Sequence, residues 1–572
     1  MTDLLVGLDV EQRQAAETLL GPVCVLAGAG TGKTRALTHR IAHGVATGVY
    51  DPARVMALTF TARAAGELRT RLRHLGAGGV SARTFHATAL AQLSHFWPDL
   101  VGGTMPRILN GKGRMIAQAA EPLRIRLDTA ALRDVAAEIE WRKVSKLTVD
   151  AYARAAASRP LPPGIDVDKM VALQLAYEGL KDDRRQLDFE DVLLATAGMI
   201  ESEPRVAEQV RSQYRFFTVD EYQDVSPLQH ELLELWLGNR TDLCVVGDAS
   251  QTIYSFAGAS SDYLLGFGAR YPDATVVRLE TNYRSTREVL VLANRLMRGR
   301  AGALELTTAV DAAAASTKKV APIEPVAFDD DLAENRGVAV AVAAEIAAGA
   351  RPEHIAVLYR VNSQAAGIES ALMEAGVSTR QLGGTRFFDL DIVKRAVLEL
   401  SSFARTAPPA PLFQSVSDVL RHLGWTVQEP EAGSAVRERW EALNALIELS
   451  DQAPAGTTLA AFAADLQERQ AAHHEPTVSA VVLSTLHSAK GLEWDSVHLI
   501  GLTEGLLPVS HAKGIAAIDE ERRLLYVGIT RARQRLALSW SREGFRGQRR
   551  EPSRFLAELR TSTTGAATAA AR

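Results

Sequence analysis

One junction near the N-terminus limits what this chain can become more than any other feature. Pro22-Val-Cys-Val-Leu-Ala27 is a short apolar run rich in β-branched residues, and it leads directly into Gly28-Ala29-Gly30-Thr31-Gly32-Lys33-Thr34. Arg35-Ala-Leu-Thr-His-Arg-Ile41 follows with helical spacing. Strand, glycine-rich turn and helix in that order predict a phosphate loop. Gly28, Gly30 and Gly32 let the backbone curl so that successive N–H groups face a β-phosphate, and the helix N-terminus adds partial positive charge. Lys33 would then reach the β- and γ-phosphates of ATP, and Thr34 would hold Mg²⁺. The strict pattern begins with glycine, a place that Ala27 fills here.

A second apolar run, Phe216-Phe-Thr-Val219, ends in Asp220-Glu221-Tyr222-Gln223-Asp224. Paired carboxylates at a strand end suit a magnesium-binding element: Asp220 would bind the ion through water and Glu221 would orient and deprotonate the attacking water. A third run, Leu243-Cys-Val-Val246, enters Gly247-Asp248-Ala-Ser-Gln251-Thr-Ile-Tyr254-Ser-Phe256-Ala-Gly258. Gln251, just past the strand end, is placed to touch a γ-phosphate. Apolar strands alternating with helical stretches predict an α/β chain of parallel sheets.

At 572 residues the chain exceeds one hydrophobic core, and about 100 to 200 residues per domain predicts three to five domains. Its 47% apolar and 23% charged residues match folded globular usage, and two cysteines, Cys24 and Cys244, exclude a disulfide framework and a zinc cluster. No signal-like start and no run of 18 apolar residues is present, so no membrane partner and a cytoplasmic, nucleoid-associated location are expected. A net charge of −4 excludes a globally basic nucleic-acid binder. Any DNA contact must be local, and the basic stretch 542–554 suits a solvated tail as well as a DNA patch.

Taken together, these motifs resemble the UvrD/Rep/PcrA group of superfamily 1 DNA helicases, and the variant most similar is the actinobacterial UvrD-like form with a reduced second insertion. Leu8-Asp9-Val-Glu-Gln12-Arg13 resembles the group's Q motif, so the resemblance implies an adenine-reading Gln12 within a nucleotide site that also takes in Arg13, Ala27, Ala29, Thr31 and Arg35. Leu58-Thr59-Phe60-Thr61 and Thr84-Phe85-His86 resemble its first single-strand contacts, and Leu187-Asp188-Phe189-Glu190-Asp191 the element that returns the chain to the first motor domain. Thr281-Asn282-Tyr283-Arg284-Ser285 implies adenine stacking by Tyr283 and a γ-phosphate contact from Arg284. Val357-Leu-Tyr359-Arg360-Val-Asn362 implies DNA contacts by Arg360 and Asn362. His487-Ser488-Ala-Lys490-Gly491-Leu492-Glu493 implies His487 on DNA and Glu493 near the ribose, and Thr530-Arg531-Ala532 makes Arg531 an arginine finger.

The implied fold is two RecA-like motor domains, each interrupted by a mostly helical insertion: residues 1–95 and 188–279 with an insertion at 96–187, then 280–378 and 480–560 with a shortened insertion at 379–479. A disordered tail is expected at 561–572. Phe60, Tyr254 and Phe256 lie just beyond motor strands and are candidate platforms for base stacking. Many relatives carry tryptophan and arginine where this chain has Phe256 and Ala257. The implied activity is ATP-driven 3′ to 5′ movement on single-stranded DNA with unwinding of tailed duplexes, in repair or replication, hydrolysis being coupled between the two motors. Two alternatives stand beside it: a protein-displacing DNA remodeller that unwinds weakly, and the motor subunit of a helicase–nuclease assembly. Repair proteins or a nuclease are possible partners, and the expected state is a monomer or a DNA-induced dimer.

Overall fold

A computed structural model describes residues 4–157, 161–162, 164–309, 322–382, 390–405, 410–427, 435–451, 453–454, 456–472, 479–544 and 547–560. The expected linker around 309–325, the prolines at 160 and 163, the opening of the second insertion at 383–388, the break at 407–409 and the tail at 561–572 lie outside these residues wholly or in part. Two compact units divide the chain, Met1–Glu280 and Thr281–Arg572.

In the first unit the strands are β1 (Val23–Ala27), β2 (Val55–Thr59), β3 (Ser81–Thr84), β4 (Arg107–Ile108), β5 (Gln186–Leu187), β6 (Phe216–Val219), β7 (Leu243–Gly247) and β8 (Thr275–Leu279). Six of them form a wholly parallel sheet in the order β3-β2-β6-β7-β1-β8. Period-two alternation sends Val23, Val25 and Ala27 into a core with Leu37, Ile41, Leu68 and Leu72. On the opposite face Cys24, Met56, Leu58 and Val219 meet Phe85, Leu93, Leu232 and Trp236. Both faces are covered, so the strands read as continuous apolar runs. Trp236 is 1% exposed, and its indole N–H donates to Gln92 Oε1 at 2.8 Å.

The first insertion contains helices Gly113–Ala120, Thr129–Val144, Val149–Ala156 and Val167–Asp183 around a core of Ile116, Ile139, Tyr152, Met170 and Tyr177. β4 and β5 pair at its base. The expected start at residue 96 falls inside helix Phe85–Leu100, whose Phe85, Ala89, Leu93 and Phe96 belong to the motor core. Helical periodicity runs through that position and offers no boundary signal.

The chain returns to the motor through a charged clasp. Asp188 caps helix Phe189–Ser202 and forms a capping box with Asp191. Lys143 Nζ, on the insertion, lies 2.7 Å from Asp188 Oδ2 and 2.6 Å from Asp191 Oδ1, and Lys181 joins the same carboxylates. Tyr177 Oη donates to Asp188 at 3.0 Å. Burial alone would raise the Asp188 pKa, but Lys143 and Lys181 hold it well below the usual carboxylate range.

The second unit repeats the plan. β9 (Thr281–Asn282) pairs with β10 (Thr307–Thr308), and β11 (Val326–Asp330), β12 (Ile355–Tyr359), β13 (Thr379–Gln381), β14 (Val481–Thr485), β15 (Trp494–Leu499) and β16 (Ala532–Glu543) form a parallel sheet in the order β11-β16-β15-β12-β14-β13. Val338, Val342, Ile355, Val357, Ile368, Leu372 and Leu483 make its core. β13 extends this sheet past the expected edge at residue 378, because its Thr-Arg-Gln sequence carries no apolar alternation to reveal a strand. The second insertion contains helices Asp391–Phe403, Leu412–His422, Ala435–Asp451 and Leu459–Ala472, packed on Leu400, Val416, Leu420, Leu443 and Leu466.

Candidate nucleotide site and strand-contacting edge

Five of the motifs expected in the first unit lie at the carboxyl edge of its six-stranded sheet, where open parallel sheets present ligands. The phosphate loop follows β1, Phe60-Thr61 follows β2, Phe85-His86 follows β3, Asp220-Glu221 follows β6 and Asp248 follows β7. β7 stands between β1 and β6, so the loop and the carboxylates face one another across one strand.

Gly30 and Gly32 take φ values of 71° and 79°, which only glycine adopts without strain. The loop curls back as Thr31 N and Oγ1 donate to Gly28 O, and Gly28 N donates to Leu279 O of β8. Lys33 opens the helix Lys33–Ala46. Its Nζ lies 3.3 Å from Glu221 Oε1. Burial works against the ammonium, yet Glu221, Asp248 and Asp220 outweigh it and hold the Lys33 pKa above the usual lysine value. Asp220 is pushed up to about 6 by burial first and the like charge of Glu221 second, against the pull of Lys33. Three carboxylates against one lysine leave a surplus of negative charge there.

Glu221 adopts φ 54° and ψ 41°, a left-handed backbone that costs a non-glycine residue about 1–3 kcal/mol and collects at functional sites. Its carboxylate accepts from Gln223 Nε2 as well as facing Lys33. Asp248 caps the following turn through Ser250 N at 2.9 Å, and its Oδ2 accepts from Gln251 Nε2 at 2.7 Å. Gln251 is thereby oriented by Asp248. Gln223 and Asp248, to which sequence reading assigned no role, join this cluster; the available signal was their place in the polar turns after β6 and β7.

Gln12 and Arg13 do not stand open for a base in this conformation. Gln12 Nε2 donates to Thr31 O at 2.9 Å and props the phosphate loop, while Arg13 Nη2 donates to Leu5 O at 3.0 Å. Arg40 fastens the helix that carries them, donating to Ala15 O at 2.9 Å and Leu19 O at 3.1 Å. Thr34 lies half-buried and Arg35 exposed at the start of the helix.

The aromatic candidates do gather. Phe60 stacks on Tyr254 with ring centroids 5.6 Å apart and planes 11° off parallel, and Tyr254 meets Phe256 edge-on at 6.2 Å. Phe60 is 42% and Phe256 54% exposed, an unusual openness for large apolar rings. His86 packs edge-on against the exposed ring of Phe189 at 5.8 Å, a second aromatic pair absent from the sequence reading. Burial, with Lys112 nearby, lowers the His86 pKa to about 4. Thr61 and Thr84 have a structural duty first: each Oγ1 caps a helix by accepting from Ala64 N and Ala87 N, both at 3.1 Å.

In the second unit Asn282 Oδ1 accepts from Arg284 N at 2.8 Å and Ser285 N at 2.7 Å, a turn that presents Tyr283 and Arg284, while Ser285 Oγ pins it to Ala532 O at 2.7 Å. Tyr283 is exposed. Arg284 Nη1 donates to Thr530 O, next to Arg531. Arg531 is buried, with Nε on Val527 O at 2.9 Å, Nη1 on Leu492 O at 3.0 Å and Nη2 on Thr530 Oγ1 at 3.1 Å. The two arginines expected to serve one phosphate are thus neighbours.

Two of the expected contact residues have partners within the second unit. Arg360 grips Glu521 with Nε and Nη2 at 3.0 and 2.7 Å, a fork-to-carboxylate pair that ties β12 to helix Ile515–Ile529 in this conformation. Glu493 bridges Arg284 and Arg533, so in this conformation it holds an arginine rather than awaiting a ribose. Asn362 is exposed at the end of β12. His487, like His86, is lowered to about 4, by burial and then by Arg360 and Lys490.

The fold and site together define a phosphate-loop protein with two RecA-like parallel-sheet domains. The UvrD/REP helicase N-terminal domain matches residues 8–272, and the UvrD-like helicase C-terminal domain matches 277–430 and 410–543. The chain belongs to the UvrD/REP helicase family. It is 47% identical to the ATP-dependent DNA helicase UvrD2 of Mycobacterium tuberculosis, over 97% of this chain and 81% of that protein. It is 30% identical to DNA helicase II of Escherichia coli and 29% to the ATP-dependent DNA helicase PcrA of Bacillus subtilis, in both cases over 97% of this chain and over 88% and 86% of theirs. No helix among the described residues is long and apolar enough to cross a membrane.

Proposed function

We propose that this protein is an ATP-driven motor that moves 3′ to 5′ along single-stranded DNA and opens tailed duplexes during repair or replication. One observation carries the reading: the cluster of Lys33, Asp220, Glu221 and Gln251 shares a sheet edge with the open Phe60–Tyr254–Phe256 aromatic group. Relatives named as ATP-dependent DNA helicases support the nucleotide and the polymer.

In this reading the loop amides and Lys33 bind the β- and γ-phosphates, and Glu221 orients water and takes its proton. Gln251, held by Asp248, faces the γ-phosphate. Arg284 and Arg531 are assigned to the charge that develops on it, where one arginine is typically worth about 10³ to 10⁵ in turnover. Gln12, Arg13, Arg35, Tyr283 and Glu493 are proposed to frame the nucleoside once ATP is bound. A magnesium ion fits the Thr34 hydroxyl and the Asp220 carboxylate: both are hard oxygen donors, and the site has carboxylate charge to spare. Bound there, it would neutralise phosphate charge. Bases stack on Phe60, Tyr254 and Phe256 without sequence preference, with Thr61, Thr84, His86, Asn362 and His487 as further contacts.

DNA-stimulated ATPase measured beside unwinding of 3′- and 5′-tailed duplexes tests this. Unwinding of the 3′-tailed substrate alone is expected, and unwinding of the 5′-tailed substrate alone would reverse the polarity. The smaller ring at Phe256 beside Ala257 favours one second reading, a translocase that displaces proteins from single strands and opens duplex weakly. Protein displacement without strand separation would select it.

A further inference from the structure

We propose that Gln223 is a positioning residue for ATP hydrolysis: it fixes the carboxylate of Glu221 and ties it to the turn that carries Gln251. The inference rests on the reading of Glu221 as general base. Gln223 is wholly buried, and each end of its carboxamide has a defined task. Nε2 donates to Glu221 Oε2 and, at 3.4 Å, to Asp224 Oδ2. Oε1 accepts from Asp248 N at 3.1 Å. The backbone N–H of Asp248 can only donate, so it sets the orientation of the amide, and the NH₂ end must face Glu221.

The neighbouring strand end is shaped around this side chain. A Cβ on Gly247 would stand 2.6 Å from Gln223 Oε1, 2.9 Å from Leu264 Cδ2 and 3.3 Å from Gln223 N. Gly247 closes β7, so glycine there leaves the room that the carboxamide occupies. The need for a second anchor on Glu221 follows from Lys33. In this conformation Lys33 Nζ faces Glu221 Oε1, but a lysine that moves to the β- and γ-phosphates weakens that pair. The hydrogen bond from Gln223 is independent of the nucleotide. It holds the carboxylate in the plane needed to take a proton, in a residue whose left-handed backbone would otherwise relax. Asp248 then links the same carboxamide to Gln251, so water activation and γ-phosphate sensing share one rigid turn.

The test uses the full chain with single-stranded DNA and compares Gln223→Leu, Glu221→Gln, their double variant and Gly247→Ala. For Gln223→Leu, kcat should fall about 100-fold, the cost typical of a misplaced catalytic group, with KM for ATP and the affinity for a non-hydrolysable ATP analogue changed less than about threefold. The double variant should hydrolyse no more slowly than Glu221→Gln alone, because Gln223 acts only through Glu221. Gly247→Ala, which changes no polar side chain but crowds the Gln223 carboxamide out of its place, should reproduce a lower kcat at unchanged KM. It also decides the matter should Gln223→Leu fail to fold. Wild-type kcat in Gln223→Leu or in Gly247→Ala, or multiplicative losses in the double variant, overturns the positioning role while leaving Glu221 as the base. Normal turnover in Glu221→Gln removes the base itself and the inference with it.

Discussion

Lys33 and Glu221 form one ion pair, yet their removal should have different effects. Lys33→Ala is expected to abolish ATP turnover, because both phosphate charge compensation and the balance of three carboxylates are lost. Glu221→Gln should still bind ATP on DNA but hydrolyse it slowly, as steady-state turnover beside nucleotide binding would show. His86 and His487 carry a pH prediction. Both imidazoles are lowered to about 4, chiefly by burial, so the folded protein keeps them neutral from pH 8 down to pH 6. Single-strand affinity measured by fluorescence anisotropy should change less than about twofold across that window. A tenfold gain toward pH 6 would mean that these rings titrate near the ordinary histidine value and bind phosphate as cations.

At the scale of elements, the first insertion is set on its motor by the clasp of Lys143 and Lys181 on Asp188 and Asp191. Lys143 and Asp188 are 2% and 1% exposed, so removing one partner strands a buried charge. Lys143→Met should destabilise the first unit by about 3–5 kcal/mol in urea unfolding, whereas a change within about 0.5 kcal/mol would show the clasp to be dispensable. The sequence element 187–191 was visible as a return point, and its chemistry was not. An Asp-x-x-Asp pair reads as a solvated helix start until the helices ending near Val144 and Asp183 bring two lysines against it.

For the whole molecule, a net charge of −4 and proposed DNA contacts that are mainly aromatic, hydroxyl or neutral imidazole predict binding with little counterion release. Four or fewer neutralised phosphates would give a slope of log affinity against log salt no steeper than about −3 on single strands. A slope near −6 would instead point to a basic groove that recruits arginines such as those at 542–554.

The phosphate loop, the Asp220-Glu221 pair and the alternation of strand and helix were legible in the chain itself, because each depends on local requirements. Glycine must stand where φ is positive, apolar residues must fill strands buried on both faces, and a strand end must precede the carboxylates. What tertiary structure alone decided was how the polar side chains are shared out. Arg360 was taken by Glu521, Glu493 by Arg284 and Arg533, and Arg531 by the carbonyls of Val527 and Leu492. Gln223 was placed between Glu221 and Asp248. These partners lie from two to more than two hundred positions apart in the chain, and a buried charge or amide takes the acceptor or donor that folding brings within 3 Å. Spacing along the sequence has no means of encoding that choice.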